Sequence, residues 1–288
     1  MRHARRPPSL ARMSRPVDVV IDFLEKEIGR GTSHVFIDER TRDALRGLFI
    51  RTHRAANQPE PEPPSASPAA APAPLTAEGA DKAAKIDALR RQAENWQPAR
   101  SLGTLRNTMV FSTGNPDARL MLVGEAPGYE EERKREPFVG PAGRKLNDIL
   151  KAMGIARPDV YISNIVKFRP ATRNQSTNNR KPTPEEMEAC LPFIRREVGI
   201  VAPSCIIALG GTAAEGLLGL SGSVSRMRGS WHEFEGIPVR VTYHPSYLLQ
   251  SGGSNQVKRQ VWEDMLSVME KLGMPISDKQ RSFFLPKP

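Results

Sequence analysis

After about residue 100, four short apolar runs punctuate the chain: RLMLVG at 119–124, VYISNIV at 160–166, CIIALG at 205–210 and VRVTY at 239–243. Segments with helical spacing of apolar positions separate and follow them: GRKLNDILKAMG, PEEMEACLPFIRREVG, TAAEGLLGL and QVWEDMLSVMEKLG. Unbroken apolar strands alternating with amphipathic helices predict a parallel sheet covered on both faces. The expected fold is therefore α/β, a three-layer αβα arrangement around a central four-stranded parallel sheet. Locally, Thr183-Pro184-Glu185-Glu186 carries the start signal of a helix: a capping hydroxyl, a proline in the first turn and a glutamate to close a capping box.

The pattern upstream differs. Residues 1–15 are arginine-rich, hold prolines and show no period, so a disordered basic tail is expected. VDVVIDFLEKEIGRG and DERTRDALRGLFIRTH have helical spacing, which makes 16–56 a small helical extension. QPEPEPPSASPAAAPAPL is dominated by Pro and Ala and lacks aromatics, so 57–78 reads as a semi-rigid linker. A further helical pattern runs from Asp81 to Trp96, and the α/β domain is taken as 79–288.

Charge narrows the partner. The 288 residues carry a net charge of +10, which favours polyanions, nucleic acid first among them, although an ordinary solvated surface accounts for such a balance too. The two cysteines, Cys190 and Cys205, form no CxxC pair, which argues against a disulfide framework or a zinc finger. No run is long and apolar enough to span a membrane, and the N-terminus lacks the apolar core of a secretory signal. A cytoplasmic monomer is expected, with an organelle transit peptide as the weaker alternative.

In open parallel sheets, ligands sit beyond the carboxyl ends of the strands. Each strand here is followed by a segment rich in chemistry. GEAPG makes a tight Gly/Pro turn whose backbone can approach a ligand. EPFVGPAG places Phe138 in a loop, either as an anchor to the core or as a stacking surface for a flat ring. Asn164 lies among Ile and Val, where an amide must find partners. It is either a satisfied structural Asn or a recognition group. In the latter role its adjacent acceptor and donors complement a ring N–H beside a carbonyl, the edge of uracil. His244 follows the fourth run, at the same end as the other three connectors.

Taken together, LMLVGEAPGYEEE, PFVGPAGRKLNDIL, VYISNIVK-RP, PSCIIALGGTAAE, RMRGSW and HPSYLL resemble the uracil-DNA glycosylase superfamily, most of all its iron–sulfur, family-four branch. The resemblance runs from about Arg106 to Leu249 and implies a catalytic domain that acts on uracil-containing DNA in base excision repair. It implies a pocket lined by Gly124, Glu125, Ala126, Gly128 and Glu131. Phe138 would stack on the flipped base, Asn164 would read its Watson–Crick edge and His244 would hydrogen-bond uracil O2. Leu248 or Leu249 would wedge into the vacated duplex beside Ser246 of the same motif. Glu131, ahead of Glu125, is the expected carboxylate on the water side. Arg226, Arg228 and Lys258 are expected at DNA phosphates, as is Arg173 in the basic stretch ATRNQSTNNRKPTPEE, which a solvated insertion would explain as well.

One departure concerns the cofactor. The branch holds a [4Fe–4S] cluster on four cysteines, but Gln97, Arg100 and Phe168 stand near three of those positions and only Cys190 remains. One thiolate cannot hold such a cluster, so neither iron nor any other metal is expected. Readings left open are action on hypoxanthine or xanthine, a non-catalytic DNA-binding relative, and a magnesium-dependent nucleotide hydrolase.

Overall fold

The computed structural model describes residues 75–250 and 254–285, all within one compact unit, Ala71–Pro288. The basic tail, the helical extension 16–56 and most of the linker lie outside the described residues.

The chain enters through α1 (Lys82–Glu94) and α2 (Gln97–Arg100), then β1 (Leu105–Met109) and β2 (Thr113–Gly114). The four apolar runs become β3 (Leu120–Gly124), β4 (Tyr161–Asn164), β6 (Cys205–Leu209) and β8 (Ile237–Thr242). Between them lie α3 (Tyr129–Lys134), α4 (Pro141–Met153), β5 (Phe168–Pro170), α5 (Pro184–Val201), α6 (Gly211–Leu218), α7 (Val224–Met227) and β7 (Trp231–Phe234). The short α8 (Pro245–Gln250), the long α9 (Asn255–Lys271) and α10 (Asp278–Arg281) complete the unit.

The sheet has six strands in the order β2-β4-β3-β6-β8-β7. The inner four are parallel, as the sequence predicts, with Leu122 opposite Ile162 and Ile207, and Ile207 opposite Arg240. The four-stranded sheet needs correction at its edges, where β2 and β7 pair antiparallel. β7 returns to β8 through Glu235 and Gly236, both at positive φ (50° and 78°), a two-residue turn of the kind that suits strand twist. A small second sheet pairs β1 with β5.

Side chains alternate along each inner strand and so feed two separate cores. Met121, Val123, Ile206 and Ala208 pack beneath Cys190, Phe193 and Ile194 of α5 and Ala213 and Leu217 of α6. Leu120, Leu122, Ile207 and Leu209 face Leu146 and Leu150 of α4 and Trp262, Met265 and Met269 of α9. The expected capping box forms: Thr183 Oγ1 accepts from Glu186 N, and Glu186 Oε2 accepts from Thr183 N at 2.9 Å. Because the inner strands run parallel, the connectors GEAPG, Asn164, Gly210-Gly211 and His244 emerge along one rim.

Candidate active site

A cavity of about 530 Å³ opens at that rim. Phe138, Asn164 and His244, drawn from three separate connectors, all line it. Asn164 ends β4 with 2% exposure, and its Oδ1 has no hydrogen-bond partner. A buried polar atom left unpaired is costly and uncommon in folded proteins. An acceptor held in this way can take a donor from a ligand.

The space in front of Asn164 is kept open by Gly124. A Cβ there would stand 2.5 Å from Phe138 Cζ and press against Asn164 Oδ1. Phe138 is itself held at φ 54°, a left-handed conformation that costs a bulky residue free energy and collects at functional sites. Its buried ring lies 5.7 Å from the His244 ring, tilted by 35°. One wall of the cavity is therefore aromatic.

His244 stands after β8. Ser246 N–H donates to His244 Nδ1 at 3.2 Å, and Ser246 Oγ lies 2.7 Å from the same atom. With Nδ1 accepting, the ring hydrogen of the neutral form sits on Nε2. Burial holds the imidazole neutral, lowering its pKa from 6.5 to about 4. Ser246, which the motif sets beside DNA, lines the cavity and fixes this tautomer.

Glu131 lines the cavity, and one of its oxygens is occupied: Oε1 accepts from Val139 N at 3.1 Å and Gly140 N at 2.9 Å. That grip shapes the loop carrying Phe138. The other oxygen, Oε2, lies where a Cβ on Gly128 would come within 2.8 Å, so glycine at 128 leaves room for the carboxylate. Burial raises the Glu125 pKa, opposed by the Thr212 hydroxyl and by Lys181. Ala126 and Gly128 also line the cavity, as expected.

The two leucines divide. Leu248 is 8% exposed and packs in the α4–α9 core, which corrects its expected place in DNA. Pro245 and Leu248, three residues apart on α8, form its buried face. Leu249 is 47% exposed and lines the cavity mouth. Arg228 is corrected too. Its Nε donates to Asp264 Oδ2 at 3.0 Å, its Nη2 donates to Gln260 O, and its side chain is only 12% exposed. It ties α7 to α9 and has no free fork for a phosphate. Arg226 and Arg173 are exposed, and Lys258 is half-buried in the first turn of α9.

The stretch after β5 folds back as a wall. Buried Arg169 donates to Glu132 Oε2 at 3.0 Å, to Asn179 Oδ1 at 2.9 Å and to the carbonyls of Ser176 and Asn178. Arg180 grips Glu186 with two hydrogen bonds, at 2.8 and 2.6 Å, and donates to Ala171 O and Thr104 O. Asn179 and Arg180 consequently line the cavity, although sequence reasoning singled out neither. Its only signal was an unusual density of Asn and Arg.

A family model described as the uracil DNA glycosylase superfamily matches residues 111–266, a span that contains every one of these cavity residues. The chain belongs to the uracil DNA glycosylase superfamily. Curated relatives agree. It is 44% identical over 162 residues to the Type-4 uracil-DNA glycosylase of Thermotoga maritima, covering 56% of this chain and 81% of that protein. It is 37% identical over 187 residues to the Type-4 enzyme of Archaeoglobus fulgidus, covering 62% and 87%. The Type-5 uracil-DNA glycosylase of Thermus thermophilus is 29% identical over 183 residues, covering 55% and 78%.

The residues that the family resemblance sets near the cluster positions do not fit an iron–sulfur group. The Arg100 guanidinium lies 4.6 Å over the Phe168 ring, and Arg100 Nη1 donates to Asn107 O at 2.8 Å. This cation–aromatic pair offers no thiolate to an iron. Cys190 is buried, with its thiol pushed up to about 11 by desolvation. No group of three or more His, Cys, Asp or Glu able to hold a metal occurs among the described residues. No described helix is long and apolar enough to cross a membrane.

Proposed function

We propose that this chain is a uracil-DNA glycosylase that takes uracil out of the DNA stack and hydrolyses its N-glycosidic bond, leaving an abasic site. The unpaired Asn164 Oδ1, facing the same cavity as a neutral His244, carries the reading. Uracil N3–H would fill the Asn164 acceptor. The same site leaves cytosine, whose N3 is an acceptor, facing another acceptor. A mismatch of that kind between buried polar groups discriminates strongly.

In the transition state the sugar turns cationic and the departing uracil turns anionic, and catalysis comes from fixed groups aimed at both charges. His244 Nε2–H donates to uracil O2 as negative charge develops there. Phe138 stacks on the ring. The Oε2 of Glu131 positions water on the sugar and offsets its positive charge. Leu249 fills the gap that the base leaves, which lowers the cost of a few kcal/mol for unstacking. Arg226, Arg173 and Lys258 contact phosphates. The proposed unit of action is a monomer.

The test is a single-turnover assay on U:G, U:A and single-stranded uracil oligonucleotides with wild type and Asn164→Asp. Wild type should release free uracil. The variant, which sets a carboxylate oxygen against uracil O4, should be slower by about two orders of magnitude or more. Equal rates would remove Asn164 from base recognition.

A further inference from the structure

We propose a second nucleobase site outside the cavity: the Tyr243–Tyr247 stack, on which an unpaired base next to the everted uracil lies flat. This rests on the glycosylase reading above. The two rings are 4.9 Å apart and within 18° of parallel. Tyr243 packs against the α4–α9 core, so the lower ring is anchored. Tyr247 is 43% exposed, and its N–H donates to His244 O at 2.9 Å. The upper ring is therefore fixed to the same backbone turn as the catalytic imidazole, with much of its surface in water.

The placement on α8 says what the ring is for. Pro245 and Leu248 face the core, whereas Ser246, Leu249 and Gln250 face the cavity. Tyr247 falls on the remaining outward side. Two residues apart on a helix, Tyr247 and Leu249 point to nearly opposite sides, so Tyr247 presents its ring outside the cavity on the far flank of α8. In this proposal the strand leaves the cavity across α8, which carries a neighbouring base to the exposed face of Tyr247. An exposed aromatic face takes any base, but only one that has left its own stack. The site therefore favours single strands and the opened step beside a flipped nucleotide. A purely structural Tyr247 would shield Tyr243 and leave DNA binding unaffected.

The experiment uses the full chain and single-stranded oligonucleotides with one uracil. In matched substrates the base just 5′ or just 3′ of the uracil is replaced by a tetrahydrofuran spacer. Wild type and Tyr247→Phe should bind one of the two spacer substrates about tenfold more weakly than the intact strand, the usual range for losing one stacked base. Tyr247→Ala should bind the intact strand about tenfold more weakly and show no added spacer penalty. A wild type indifferent to both spacers overturns the site without any substitution. So does a Tyr247→Ala variant that keeps the full penalty. Failure of the wild type to release uracil from every oligonucleotide would instead overturn the glycosylase reading, and this site with it.

Discussion

The neutrality of His244 makes a prediction about stability as well as catalysis. Burial lowers its pKa from the ordinary 6.5 to about 4. Between those values the unfolded chain binds a proton that the folded chain refuses, so stability falls as pH falls across the window. At 1.36 kcal/mol per pH unit the interval amounts to about 3 kcal/mol. That figure is an upper bound, because one side of the ring opens to the cavity and water. The contribution is complete above about 6.5 and lost by about 4. Asparagine at this position keeps a polar group of similar reach and does not titrate. Urea unfolding of wild type and His244→Asn across the window should show the wild type losing up to about 3 kcal/mol more. Taking the difference cancels every other titrating group, including Glu125, whose shift runs the opposite way. Identical pH dependence would mean that the imidazole titrates near its ordinary value and is not held as a neutral Nε2–H donor.

Other substitutions test separate parts of the account. Gly124→Ala should destabilise by about 1–3 kcal/mol through overpacking and abolish measurable uracil release, because the new methyl meets Phe138 and Asn164 together; thermal unfolding and a single-turnover assay check both. Arg226→Ala should weaken DNA binding and reduce the slope of log K against log salt by about 1, whereas Arg228→Ala should lower stability by breaking its contacts with Asp264 and leave that slope unchanged. Lys167→Met should cost about 3–5 kcal/mol in urea unfolding, since it leaves the fully buried Glu197 without its cation.

The fold was legible where burial on two faces writes itself as an unbroken apolar run, as in LMLVG and CIIAL. It was illegible at the edges. β2 is two residues long, and β7, WHEF, sets two polar residues between two aromatics without a period-2 pattern, with nothing but Glu235-Gly236 to mark the hairpin. The cavity groups proposed to grip the base were legible because parallel strands force their carboxyl ends onto one rim, where Phe138, Asn164 and His244 line one cavity. Charged residues were the weak point. Whether an arginine meets solvent or a carboxylate depends on partners far along the chain: Arg228 finds Asp264, and Arg169 finds Glu132. Local sequence holds no record of such pairings. The leucine pair was not resolvable from spacing, since Leu248 and Leu249 stand at i+3 and i+4 from Pro245; packing against α4 and α9 is what assigns Leu248 to the core.

The central claim concerns a base gripped by three connectors, and a crystal structure with single-stranded DNA carrying a cleavage-resistant 2′-fluoro uracil nucleotide addresses it most directly. The uracil ring should lie on Phe138, with its N3 within hydrogen-bonding distance of Asn164 Oδ1 and its O2 within that distance of His244 Nε2. A uracil bound elsewhere, or one in the cavity with Asn164 Oδ1 still unpaired, would contradict it.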